Sequence, residues 1–534
     1  MSTTDTQTLD DRAPARAKLV LAALILVAGV ANINLAVANV ALPDIGRALD
    51  ASSTQLNLIA VGYSLGLAAS VLYFGVLGDR FGRKRLLVAG MLLTIPASLI
   101  AGFAGDPNVL FGARVLGGVA AGLAYPTTLA IITALWGGSK RTAAIAAWSA
   151  IGGAISAMGP VLSGALLEQF DWKSVFLVTI PLAVIALGAA WFLVPRDGGD
   201  TAVSVDNFSG VLSIVLVGAT VLAINFAPLG DMGTAVWILA AVAVISTLVF
   251  VWRQLRIRVP LYDFRIASRP TFWVAAVGGI IIFGTLMGAM FVGQQYLQNV
   301  LGYSTLAAGA LALPAAAAMV IVAPQSAKMV ESIGSRYTLI IGYAFIIAGL
   351  VVAQVFWRDS ASLWAVIGTY MLIGVGVGFA GTPASHSLTG SVPVSRAGMA
   401  SSTSDLQRDL GGAIMQSVLG AILTAGYAKA LTETIHDSPN AAQISSETQA
   451  ALTKSFASAA DLAERYPQYG EQIISAARDA FVQGDTRAYS AAIVIVATGA
   501  LLVWLFYPNA AGEREAMARY AAEREDTEVG DTPT

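Results

Sequence analysis

Few side chains in this 534-residue chain can do chemistry, and the most informative ones sit where water is scarce. Arg114 lies in RVLGGVAAGLAYP (114–126), an apolar stretch where a guanidinium is costly and usually kept for function. Gly118 and Gly122 in the same stretch have the small-xxx-small spacing that lets another helix backbone approach. In GVLGDRFGRKR (75–85), Gly75 allows close helix contact and Gly82 permits a tight turn. Asp79 can sit against the positive N-terminal end of a facing helix, and Arg83 can balance its charge. With Arg80 beside them, these residues make a charge latch that can form in one conformation and break in another. In GGAISAMGPVLSG (152–164), Gly159-Pro160 bends a helix and frees backbone groups that neighbours must satisfy.

The rest of the inventory excludes more than it offers. The chain has no cysteine and two histidines, so no thiolate or histidine metal site, and no cofactor, is expected. No phosphate-cradling P-loop pattern is present, which argues against direct ATP drive. A net charge of −2 without a long basic cluster gives no sign of nucleic-acid binding. A membrane-embedded enzyme would need acidic or histidine clusters at a membrane face. The Asp405/Asp409 pair flanks Arg408 and reads as the acidic start of a helix, so no enzyme is expected.

These residues must be held by membrane helices. The chain is 56% hydrophobic and only 12% charged, against about 25% charged in soluble domains. Fourteen segments reach the ~20 apolar residues that a spanning helix needs: 19–42, 56–77, 86–104, 108–134, 143–166, 174–194, 208–228, 234–252, 271–297, 305–327, 338–356, 362–390, 410–430 and 488–507. Basic residues crowd alternate loops, among them Arg80, Arg83, Lys84, Arg85, Lys140, Arg141, Arg253, Arg256, Arg336, Arg396 and Arg408. By the positive-inside rule both termini are cytoplasmic, and the polar segment 431–487 lies outside. Its SSETQAALTKSFASAADLAERY stretch has helical spacing and a capping-box start. An internal repeat aligns GDRFGRKRLLVAG (78–90) with VESIGSRYTLIIG (330–342), matching Asp79 to Glu331, Gly82 to Gly334, Lys84 to Arg336 and Gly90 to Gly342. The chain therefore parses as a tail (1–18), a six-helix bundle (19–194), an inserted helix pair with linkers (195–270), a second six-helix bundle (271–508) and a tail (509–534). A duplicated bundle with its site between the halves is a usual transporter architecture.

GVLGDRFGRKR resembles the loop signature between the second and third helices of the major facilitator superfamily. RVLGGVAAGLAYP resembles that family's fourth-helix motif, with Gly117 where a glutamine is common. GGAISAMGPVLSG resembles its antiporter signature, and DWKSVFLVTIP (171–181) its entry into helix six. With fourteen spans, the resemblance covers nearly the whole chain and points to the 14-helix drug:proton antiporters. It implies an all-α fold of two six-helix bundles plus two inserted helices, in the plasma membrane. It also implies a role for Arg114 in proton coupling, and for Gly159, Pro160 and Gly164 in the helix associated with export.

One departure bears on the substrate. The branch usually has an aspartate in helix one, nine residues before the proline of an ALP motif; Asn34 stands there in this chain, before Pro43. Asn34, Tyr63, Tyr125, Gln294 and Gln295 are candidate cavity residues. The implied function is secondary active export of small amphipathic or drug-like compounds, in exchange for protons, by a monomer. Export of an endogenous lipid or metabolite on the same fold is the alternative.

Overall fold

In the computed structural model, residues 13–51, 53–196, 205–227, 233–358, 360–438 and 444–530 are described. Most of the tail 1–18 and parts of 195–270, 431–487 and 509–534 lie outside them. Among the described residues the chain is all-α, with fourteen helices long and apolar enough to cross a membrane. We number them α1 (Ala17–Leu49), α2 (Ser53–Phe81), α3 (Arg83–Gly102), α4 (Pro107–Leu135), α5 (Gly138–Leu167), α6 (Thr179–Leu193, after the turn Ser174–Leu177), α7 (Asn207–Phe226) and α8 (Gly233–Gln254). There follow α9 (Pro270–Asn299), α10 (Leu313–Ile333, after the short helix Thr305–Ala310), α11 (Ser335–Phe356), α12 (Leu363–Gly390) and α13 (Ala397–His436). Two short helices, α14 (Ser446–Lys454) and α15 (Phe456–Arg465), precede α16 (Gly470–Phe506), and α17 (Ala510–Gly530) ends the chain. The end of the molecule bearing Arg80 to Arg85 is called the basic face below.

Local chemistry sets the helix starts. Asp106 accepts from the backbone N–H of Asn108 and Val109 ahead of Pro107, so α4 begins there. Ser445 and Ser455 cap α14 and α15, which divides the helical stretch read at 445–466 into two. Gly82 and Gly334 adopt positive φ (99° and 86°) between consecutive spans, a turn that needs glycine.

The aligned repeat is also a structural repeat. Lys84 Nζ donates to the carbonyls of Trp191 and Val194 at the end of α6 (2.7 and 2.6 Å). Arg336 donates to the carbonyl of Trp504 at the end of α16. A Cβ on Gly90 would lie 2.5 Å from the Ala120 carbonyl oxygen, and one on Gly342 2.6 Å from that of Gly376. Both glycines therefore hold a span tightly against its partner. The acids diverge: Asp79 is buried and Glu331 exposed.

Separate cores fill the two halves. One runs through α9 to α16, from Phe272 to Tyr507; another joins Leu24, Leu129 and Trp148 in the first bundle. The halves meet where α2 and α4 pack on α13, and where α5 packs on α10 and α12. The α5/α10 contact contains a seam of four alanines, Ala146, Ala150, Ala323 and Ala327. Helix α7 packs on α2 and α13, and α8 mainly on α7, to which Arg253 ties it through Asp206 (2.8 Å).

Helix α13 departs from the sequence expectation. Its span was placed at 410–430, with Asp405, Arg408 and Asp409 at its start; the helix begins at Ala397, so these residues lie two to three turns inside it. Apolar character alone misses the first turns because their polar residues are buried against other helices rather than lipid, some of them hydrogen-bonded across. Ser402 Oγ donates to the Val71 carbonyl (2.8 Å), and Gln407 Nε2 to the carbonyls of Ala275 and Ala276 (2.7 and 2.9 Å).

Candidate functional site

At the basic face, α2 meets the first turn of α13. Asp79 Oδ2 accepts the Gly398 N–H (2.9 Å), and Oδ1 accepts Arg83 Nε and Nη2 (3.1 and 2.8 Å). Only 3% of the Asp79 side chain and 9% of Arg83 reach solvent, so the charge-assisted bonds are screened little. Glycine makes this approach possible. A Cβ on Gly398 would lie 2.1 Å from the Gly75 carbonyl oxygen, and one on Gly75 2.0 Å from Ser402 Oγ. Gly82 supplies the turn that brings Arg83 back onto Asp79. Arg80 does not join them; its guanidinium lies over the Phe81 ring.

Arg114 is buried within the first bundle and pairs with backbone rather than with a carboxylate. Its Nη1 donates to the Asn34 carbonyl (2.6 Å), with longer contacts to those of Leu35 and Ile59 (both 3.5 Å). The Tyr63 ring lies 4.8 Å from its Cζ and that of Phe176 5.8 Å, so cation–π contact adds to the bonding. Asn34 turns its amide back to the Val30 carbonyl (3.1 Å). Asn34, Tyr63, Arg114 and Phe176 share a narrow cleft inside the first bundle. The spacing of Gly118 and Gly122 serves the approach of α2: added Cβ atoms would lie 2.1 Å from the Tyr63 carbonyl oxygen and from Ser70 Oγ.

The charged centre between the halves is on α13. Asp405, Arg408 and Asp409 fall at i, i+3 and i+4, one face of a helix. Arg408 reaches across to the first bundle, donating to the Tyr125 hydroxyl and to Ser149 Oγ (3.2 Å). Its Cζ lies 4.7 Å from the Trp148 ring and 4.9 Å from that of Phe283, so aromatic faces from α5 and α9 bracket the cation. Asp405 is fully buried, and neither of its carboxylate oxygens has a hydrogen-bond partner among the described residues; Asp409 leaves one oxygen in the same position. Asp409 is within electrostatic range of Tyr63 and Tyr125. A buried carboxylate without a partner is costly unless it takes up a proton or a cation.

The expected cavity residues do not share one space. Tyr125 joins the Arg408 centre, whereas Asn34 and Tyr63 line the Arg114 cleft. Gln294 Nε2 donates to the Ala308 carbonyl (2.8 Å), and Gln295 is half-buried nearby on α9. On α5, a Cβ on Gly159 would lie 2.4 Å from Ala36 Cβ of α1, whereas Pro160 and Gly164 face Gly309 and Leu306 of the second half. The kinked segment therefore touches both bundles. Trp148 and Ser149 carry no mark in the sequence, since nothing in a single apolar helix shows which side chains face a distant arginine. The i, i+3, i+4 charge spacing at 405–409, in a segment without proline, was the available signal.

The Major Facilitator Superfamily profile matches residues 24–415. The chain is 33% identical to the multidrug efflux pump LfrA of Mycolicibacterium smegmatis, over 92% of this chain and 96% of that protein. It is 32% identical to the multidrug resistance protein Stp of Mycobacterium tuberculosis, over 73% and 72% of the two chains. It is 29% identical to the methyl viologen resistance protein SmvA of Salmonella typhimurium, over 90% and 97%. Among solved structures, the human organic anion transporter MFSD10 matches with a TM-score of 0.58 at 11% identity, covering 91% of this chain and 99% of that one. That likeness concerns the fold.

Proposed function

This chain belongs to the major facilitator superfamily, and on that premise we propose that it is a secondary active exporter of small amphipathic, drug-like compounds, driven by proton exchange. The observation that carries the reading is the α13 centre. A cation bracketed by aromatic rings and two buried carboxyl groups lies where the two bundles meet. Aromatic faces offer a sequence-tolerant surface to flat amphiphiles, and a carboxylate attracts a cationic one. A carboxyl group that alternately holds a proton and a substrate cation gives antiport, because the two occupants compete for one site.

In the alternating-access cycle we propose, the bundles rock about the α5/α10 contact. Asp79, Arg83, Gly75 and Gly82 hold the basic face closed when α2 rests on Gly398. Breaking that contact opens the α13 centre to this face, which the positive-inside rule makes cytoplasmic. Substrate then displaces the proton from Asp405 or Asp409, and the reverse exchange at the other face discharges it. Arg114 fixes the middle of α1 through the Asn34 carbonyl and is the coupling residue of the first bundle. The names of the relatives, multidrug efflux and resistance proteins, support export of foreign compounds.

Purified protein in liposomes, loaded with a monocationic dye under an imposed pH gradient, tests this reading. Gradient-driven transport should collapse with an uncoupler. Asp405→Asn should abolish it while leaving gradient-independent dye exchange. Transport that ignores the gradient in the wild type would refute proton exchange. Gradient-driven transport that survives both Asp405→Asn and Asp409→Asn would remove these carboxyls from it.

A further inference from the structure

A basic groove lies on the outside of the first bundle, away from the bundle interface. It is a cavity of about 550 Å³ between α3 and the end of α6, within the roughly 300–1,000 Å³ of small-molecule sites. Lys84, Arg85 and Arg196 stand at its mouth, and Val88, Leu92 and Trp191 form its wall. No acidic side chain lines it among the described residues. Two bonds from the Lys84 ammonium to α6 carbonyls fix that cation beside the groove. Arg85 and Arg196 are exposed, and Arg196 has no ion pair among the described residues. The wall faces outward: Leu92 is 52% and Trp191 55% exposed, and Leu99, Ile100 and Phe192 continue the apolar surface.

This combination selects its occupant. A soluble anion would use the three cations and leave the apolar wall without purpose. A zwitterionic lipid would use the wall, but its own positive group would oppose the cations. We propose that the groove binds an anionic phospholipid, with its phosphate between Arg85 and Arg196, in the field of the Lys84 ammonium, and its acyl chains along α3 and Trp191. Basic pockets between spans are the usual form of such recognition. The inference is independent of the substrate, of the direction of transport and of the α13 carboxyls.

The test uses the full chain in detergent, titrated with phosphatidylglycerol, phosphatidylcholine or glycerol phosphate and read by native mass spectrometry. Phosphatidylglycerol should be retained and the other two lost. Arg85→Gln/Arg196→Gln should weaken its binding roughly 25-fold, about five-fold per removed cation. Arg256→Gln, an exposed charge elsewhere on the basic face, should leave it unchanged. Phosphatidylglycerol brominated in its chains should quench a fluorescence component that Trp191→Phe removes. Equal retention of the two lipids, equally tight glycerol phosphate, or an Arg256→Gln effect as large as the double variant's would each overturn the proposal.

Discussion

Replacing Asp79 by asparagine isolates the contact that holds α2 on α13. Arg83 and Asp79 lie on connected spans of one bundle, so in the proposed rigid-body cycle their ion pair is kept in both states and cancels from the comparison. The bond to Gly398 N–H crosses the bundles, and in the proposed cycle it is made only when they are closed at the basic face. A carboxylate acceptor is worth about 1.5–3 kcal/mol and a neutral amide acceptor about 0.5–1.5. The variant therefore weakens the closed state by about 1–2 kcal/mol, a roughly 5- to 30-fold shift in the equilibrium. Gly398→Ala should move it in the same direction by sterics, since the new Cβ would fall 2.1 Å from the Gly75 carbonyl oxygen. Because the chain lacks cysteine, spin labels at Ser139→Cys and Ser395→Cys report cleanly, both positions being exposed on opposite bundles at the basic face. The distance distribution should gain a longer component in both variants, and dye efflux should fall at unchanged abundance. Wild-type distances with wild-type efflux in both variants would refute the reasoning.

Other outcomes follow from the same geometry. Ser139→Cys should react with an impermeant thiol reagent only after cells are opened, and Ser446→Cys in intact cells; the reverse pattern would invert the orientation. Arg408→Gln removes the cation that bonds Tyr125 and Ser149 and lies within electrostatic range of both buried carboxyls, and should cut efflux more than ten-fold, since a hydrogen bond from a charged group is worth about 1.5–3 kcal/mol; efflux near wild type at matched expression would exclude the centre. Asn34→Asp should leave the ratio of mono- to dicationic dye export unchanged, because the side chain lies in the Arg114 cleft; a gain in dication export would place it in the transport cavity. Glu513 accepts Ser335 N–H (2.8 Å) and the Tyr507 hydroxyl (3.0 Å), so Glu513→Ala should lower the melting temperature of purified protein by an amount matching about 1–3 kcal/mol; an unchanged melting curve would show that α17 does not brace α11.

Hydropathy made the spans legible because lipid contact demands apolar surface over most of each helix. It failed where helix meets helix. The first turns of α13 carry Ser401, Ser402, Thr403, Ser404 and Asp405, which no lipid-facing helix would tolerate, and read as loop until the neighbouring helices are seen to bury them, with Val71 accepting from Ser402 and Ala275 and Ala276 from Gln407. The same blindness put Arg408 among the loop cations. That Asp79 meets a facing helix end was readable from glycine spacing, and the family resemblance offered helix thirteen for it, but the partner residue, Gly398, lies 319 residues away and only the fold identifies it. Asn34 shows the opposite limit. Its distance from Pro43 locates it in the chain, yet helical phase alone does not say which of two polar spaces a mid-helix amide faces.

Helix α13 is one unbroken rod of 40 residues. Gly398 in its first turn and Asp405 seven residues on are about 10 Å apart at 1.5 Å per residue. Whatever occupies the carboxyls and whatever grips the helix end thus act on the same lever arm. No relay of rearranging side chains is needed between them, since a rod tilted at one place is displaced at every other. In the proposed cycle the residues around Arg408 can then change without retuning the motion, provided the rod stays stiff. A proline or a glycine pair introduced between Gly398 and Asp405 would disconnect the two ends while leaving each intact.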